Sequence, residues 1–256
     1  EPSNELAITI DKTAPSTPLI TTTDTLTSDT TPTIEGTAEA GSTVNLYNDT
    51  ESATYAVTVE SKTSDHSYDG TGSPLGYKID GVFSPFLTFT PGNTYRFDQS
   101  DASNANHPLR FYLEADRTTL YNTGVTTNGT PGQSGAYTEI TISDTTPASL
   151  HFQCVNHGYM GDAAYTSLGT ATTDGGGNFS ITTTLDLVDD DYSLTIKSTD
   201  VAGNTSSAST AFALTIDTSA PSTPVITTTT ELTNDKTPQI VGNADPNNVC
   251  LLYTSP

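Results

Sequence analysis

Tryptophan is absent from this chain of 256 residues, methionine occurs once, cysteine twice, and lysine plus arginine only eight times. Each shortage excludes something. Two cysteines, Cys154 and Cys250, cannot build a disulfide-rich scaffold. Eight basic residues against thirty acidic ones give a net charge of -22 and leave no basic face to neutralise phosphates, so nucleic acid is excluded as a partner. No apolar run approaches the ~20 residues of a membrane span, and no secretory signal starts the chain. Gly-x-Ser-x-Gly, His-Glu-x-x-His and phosphate-loop motifs are also missing, and no enzymatic activity is expected. Threonine, by contrast, supplies 52 residues. Alternating with Val, Ile and Tyr it suits half-buried strands, which argues for a folded all-β chain with a solvated, extracellular surface.

Self-similarity sets the organisation. Residues 11–47 align without a gap to 217–253 at an offset of 206, and 20 of the 37 positions are identical. The same offset pairs ELAITID (5–11) with AFALTID (211–217). The chain therefore reads as a window from a tandem array, so neighbouring repeats or identical subunits are the first partners to expect. Near residue 54 the text changes character, and near 168 it returns to alternating strands: Phe179 and Ile181, then Tyr192, Leu194 and Ile196, then Phe212, Leu214 and Ile216. Gly-Gly-Gly-Asn (175–178) and Ala-Gly-Asn (202–204) supply turns. About seven strands in about 90 residues, 12–53 joined to 168–217, read as a discontinuous immunoglobulin-like β-sandwich. Residues 1–11 read as the last strand of a preceding repeat, and 218–256 as the start of the next. The motifs TAPSTPxI, TPTIEGTAEAGSTVNLY, GNFSITT and STDVAGNTS resemble the bacterial Ig-like repeats of large surface adhesins and biofilm proteins. That resemblance implies an extracellular, cell-surface scaffold or filament and a partner at the cell surface.

Acidic residues fall where such sandwiches meet. Asp11, Glu39 and Asp200 are expected at one end of the sandwich, and Asp217, Asp245 and the loop containing Asp189 at the next. Clustered carboxylates repel unless a hard cation lies among them, and Ca²⁺ accepts six to eight oxygens in loose geometry. The resemblance to adhesin repeats likewise implies calcium that stiffens the joints.

The insertion, 54–167, carries the remaining chemistry. Alternation marks strands at Val57 and Val59, Tyr95 and Phe97, Leu109, Phe111 and Leu113, and Ile140 and Ile142. In Leu150-His151-Phe152-Gln153-Cys154 the period of two turns Leu150, Phe152 and Cys154 inward and His151 and Gln153 outward. Cys154, His157 and Met160 follow in a C-x2-H-x2-M loop, and His107 heads another strand. A thiolate, two imidazoles and a thioether form the soft donor set that suits copper in a His₂Cys plane with a weak axial Met. The lines YKIDG, LTFTPGNTYRF, NHPLRF, AYTEITIS and LHFQCVNHGYMGD are similar to cupredoxins, with a short ligand loop closest to the amicyanin pattern. The resemblance implies an inserted Greek-key β-sandwich, copper held by His107, Cys154, His157 and Met160, and a redox partner; the alternative is a structural or adhesive surface protein whose insertion mediates subunit or ligand contacts without redox metal. His66, in SDHSYDG, and His151 read as ordinary surface residues. Cys250 aligns with the core position Val44 and is expected to be a buried free thiol, unless truncation of the repeat exposes it. The stretch 113–137 is an elaboration that shields the site or changes how a partner approaches.

Overall fold

The computed structural model describes residues 8–229, 232–246 and 249–253. Among them the chain is almost entirely β, with one 3-10 turn at Ala102–Asn104. Four sheets make two sandwiches, each around its own apolar core.

In the first, Leu19–Ile20, Thr33–Thr37 and Asn178–Thr182 form one layer. The second layer runs in the order Gly169–Thr172, Thr43–Asn48, Asp190–Thr199, Phe212–Ile216, Leu26–Thr27. Both layers join residues before 49 to residues after 168, so the intervening chain is a lateral excursion. Ile34, Val44, Leu46, Phe179, Ile181, Leu194, Ile196, Leu214 and Ile216 are buried between the layers, as their alternation requires. The Gly-Gly-Gly-Asn turn works through Asp174, whose Oδ1 accepts the N–H groups of Gly176 and Asn178. Gly177 takes φ 80°, and an added Cβ would meet the Ala38 carbonyl, so only glycine fits.

The second sandwich lies within the excursion. One sheet orders Leu120–Tyr121, Leu109–Tyr112, Ser149–Cys154, Ala163–Tyr165 and Leu87–Thr88. The other orders Val125–Asn128, Tyr137–Thr141, Thr94–Asp98, Ala53–Ser61, Leu75–Ile79 and Val82–Phe83. Phe89, Tyr95, Phe97, Phe111 and Phe152 pack edge-on and offset in the middle. Pairing of Leu109 with Cys154 and Phe111 with Phe152 brings the strand after His107 against the strand that ends in the thiol.

Three expectations change. Leu113 does not continue the alternation, because the strand ends at Tyr112 and Leu113 turns outward into a tight return to Thr119. Gln153 is fully buried rather than outward-facing, because the chain after the ligand loop folds back over it and Gly161 donates its N–H to Oε1. Cys250 is exposed. Its counterpart Val44 is covered by the strands Gly169–Thr172 and Asp190–Thr199, and no such strands flank residue 250 among the described residues. Of the strand expected over 1–11, residues 1–7 lie outside the described residues, and 8–11 form no strand. Residues 230–231, 247–248 and 254–256 of the expected next repeat also lie outside them.

Candidate metal centre

The strand Ser149–Cys154 ends on a cysteine because its inward face needs an apolar residue there, and the next residues must turn. Cys154 is fully buried in the same core as Met160. His157 is exposed and His107 buried, with their rings 4.7 Å apart. Cys154 Sγ lies 3.6 Å from His157 Nδ1 and 3.8 Å from His107 Nδ1. Among the described residues this is the only group of three or more His, Cys, Asp and Glu side chains whose donor atoms all lie within 4.8 Å of one another.

These separations can be tested against a metal. Bonds of about 2.3 Å to sulfur and about 2.0–2.1 Å to nitrogen, opened by roughly 110–120° at a first-row ion, put S and N about 3.5–3.8 Å apart. Sγ and the two Nδ1 atoms meet that requirement, and both rings turn the same kind of nitrogen to the thiol. The donor set fits. Burial, and then the neighbouring His157, hold His107 below the usual imidazole range, which favours the neutral form that ligates.

The ring of His107 is fixed through its own backbone. Its carbonyl accepts from Tyr77 Oη and from Gln99 Nε2, each at 2.8 Å, and its N–H donates to the Asn104 carbonyl. Gln99 also accepts from the Leu109 N–H, and Asn104 donates to the Val57 carbonyl. Burial, then the nearby Cys154, push the Tyr77 phenol well up and keep it a donor. The ligand loop is tied from outside by Arg117, whose Nη1 donates to the carbonyls of Cys154 and Val155. Arg117 comes from the elaboration 113–137, and its Nε is buried without a partner. His66 is buried, not a surface residue: the 62–73 segment folds its ring under Phe83, where Nε2 lies 3.1 Å from the Met160 carbonyl. His151 is half-buried and outside the cluster. Tyr77 opens toward the site from the YKIDG line, but nothing in that line gives its hydroxyl's partner. His66, Gln99 and Arg117 carried no local sequence signal, since each acts across long sequence separations.

The acidic residues do not gather to the same degree. Asp200 accepts the N–H groups of Ala202 and Asn204, and Asn204 Nδ2 reaches the Asp11 carbonyl at 3.4 Å. The Asp11 carboxylate accepts from Thr13 N–H, and Glu39 contributes its carbonyl to Ser42. Asp189 and Asp217 both accept from the Thr218–Ser219 turn, and Asp245 accepts from Ser222. Among the described residues no three of these carboxylates bring their oxygens within 4.8 Å of one another.

The family described as the bacterial Ig-like domain matches residues 139–218, which take in every strand from Ser149 to Ile216. No curated protein matches the chain. One solved structure that aligns is the Bacteroides ovatus mixed-linkage glucan utilization locus SGBP-B in complex with a mixed-linkage heptasaccharide. It shares 12% identity over 82% of this chain and 72% of that one, with a TM-score of 0.20, too loose a superposition to bear on function. No helix among the described residues is long and apolar enough to cross a membrane.

Proposed function

We propose that the chain is a segment of a bacterial surface repeat protein, an adhesin or filament, whose Ig-like scaffold carries a cupredoxin-like module for single-electron transfer. The observation that carries this reading is the convergence of Cys154 Sγ with His107 Nδ1 and His157 Nδ1 at copper-compatible separations. Met160, buried in the same core three residues beyond His157, would complete the donor set with its thioether. A copper ion held by this set supplies reversible one-electron exchange. The chain's own residues prepare the site. Tyr77 and Gln99 fix the backbone of His107, Arg117 fixes the two successive carbonyls of Cys154 and Val155, and the core keeps water from Sγ. His157 is the ligand that reaches the surface, where a redox partner would approach.

The same reading assigns calcium to the joints between repeats. Its support is that Asp189, Asp217 and Asp245, from three different segments, all accept backbone N–H groups of the 218–222 stretch.

Copper(II) added to metal-free protein tests the central claim. An intense blue thiolate-to-copper absorption at one equivalent is expected, and Cys154→Ser is expected to abolish it. A colourless protein that retains no metal would leave the insertion a structural decoration of the scaffold.

A further inference from the structure

The segment 62–73, which contains SDHSYDG, lies across the back of the 154–162 loop and grips it at successive points. Ser73 donates its N–H to the Gly158 carbonyl at 3.0 Å. The ring of His66 meets the Met160 carbonyl at 3.1 Å. Ser67 Oγ donates to Asp162 Oδ2 at 2.5 Å. Lys62 staples the segment to itself by donating Nζ to the carbonyls of Tyr68 and Thr71.

His66 is the buried member of this set, only 3% exposed. Its hydrogen bonds assign its tautomer. Tyr68 N–H can only donate, and it does so to Nδ1 at 3.0 Å. The proton therefore sits on Nε2, which donates to the Met160 carbonyl. Tyr77 N–H donates to the same carbonyl at 2.6 Å. The ring needs the space left by Gly76, where an added Cβ would overlap Cδ2 and Nε2. A glycine inside the strand Leu75–Ile79 weakens the strand, so its presence here is accounted for by the imidazole it admits. Met160 is thus pinned through its backbone by a strand on one side and a strap on the other. Its side chain, fully buried in the same core as Cys154, has its starting point set by that pin.

We propose that residues 62–73 form a strap that sets the position of Met160 at the copper centre, with His66 as the positioning residue. The inference rests on the copper reading above and adds a determinant of the site's properties, because the axial ligand tunes the potential of a His₂Cys site. Outer-shell partners orient ligands in the same way at other metal sites, and their loss costs about 10- to 100-fold in metal affinity.

The test compares wild type, His66→Phe, His66→Gln and Met160→Leu after loading with copper(II). His66→Phe keeps an aromatic ring against Phe83 but removes the donor. It is expected to bind copper about 10-fold more weakly. It is also expected to shift the visible band pattern and the midpoint potential in the direction set by Met160→Leu. His66→Gln, whose amide restores a donor, is expected to return both towards wild type. Ser67→Ala, an exposed change, loosens the strap without touching the core and serves if His66→Phe does not fold. It is expected to move the potential in the same direction by less. A wild type that takes up no copper overturns the copper reading and this inference together. A blue wild type with His66→Phe, or Ser67→Ala in its place, matching its bands and potential overturns the strap alone. So does a shift unlike that of Met160→Leu or one that Gln does not reverse.

Discussion

His107 is anchored by its peptide carbonyl, and that carbonyl depends on two side chains from other strands. Gln99 is the more consequential, because its amide joins the His107 carbonyl to the Leu109 N–H while it is itself 1% exposed. Replacing it by Leu leaves a buried donor and a buried acceptor without this partner, at about 1–3 kcal/mol. Gln99→Leu is therefore expected to lower the denaturant midpoint of metal-free protein by that amount, with the slope unchanged, and to weaken copper binding. A midpoint equal to wild type would mean that Tyr77 alone holds His107. The spacing of Cys154, His157 and Met160 was legible because all three sit on one loop, where chemistry and geometry are both local. His107 lies 47 residues away and was found only through the company it keeps in the cupredoxin-like pattern. Gln99 and His66 were illegible for a physical reason: their roles lie in hydrogen bonds to backbone atoms of other segments, and any polar residue looks alike in a loop until its partner is known. Gln153 illustrates the converse, since period-two alternation gives the face of a strand but not what later covers that face.

The elements of the insertion are tied to those of the Ig-like sandwich by a hydrogen-bonded seam rather than by a flexible linker. Thr90 Oγ1 donates to the Asn48 carbonyl and accepts from the Thr50 N–H, both at 2.8 Å. Asn48 Nδ2 donates to Thr88 Oγ1, and Tyr95 Oη donates to the Thr50 carbonyl. Phe86 adds apolar contact, with its ring 5.4 Å from Tyr165 and 6.5 Å from Tyr192. The Lys197–Asp144 ion pair also crosses the seam, but it is half-exposed and contributes little. Thr90→Val keeps the shape and removes the bridging hydroxyl, so it is expected to cost about 1–3 kcal/mol. The change should appear as a lower midpoint in thermal or denaturant unfolding, and an unaltered midpoint would show that the seam is held without Thr90. The long strands here were legible from alternation, because a half-buried strand must alternate. The short strands Leu120–Tyr121 and Val125–Asn128 were not. They extend the two sheets at opposite edges of the elaboration, and two to four residues are too few to show a period.

At the scale of the whole molecule the internal repeat is reproduced bond by bond. Leu19 pairs with Thr37 and Ile20 with Gly36, and 206 residues later Val225 pairs with Asn243 and Ile226 with Gly242. Thr21 N–H donates to the Glu35 carbonyl at 2.8 Å, and Thr227 N–H donates to the Val241 carbonyl at 2.8 Å. Register is retained although Glu35 and Val241 differ, because the paired groups are backbone and the threonines that cap them recur. Between the two copies runs the linker that Asp189, Asp217 and Asp245 line. Hydrogen bonds from Thr218 and Ser222 hold Asp189 and Asp245 below the usual carboxylate range, so both stay charged at neutral pH. Like charges held against one short linker repel one another, which favours an extended chain. A divalent cation reverses the sign of that contribution by giving the carboxylates a shared partner. With calcium the linker is expected to hold one direction, and with a chelator to sample several. Small-angle scattering in both conditions measures the difference as a change in radius of gyration, and Asp217→Asn is expected to remove the calcium dependence. Identical dimensions with and without calcium would instead assign these carboxylates to what they visibly do, which is to cap the turns at Thr218–Ser219 and Ser222. The net charge of -22 would then act through solvation of the array rather than through its joints.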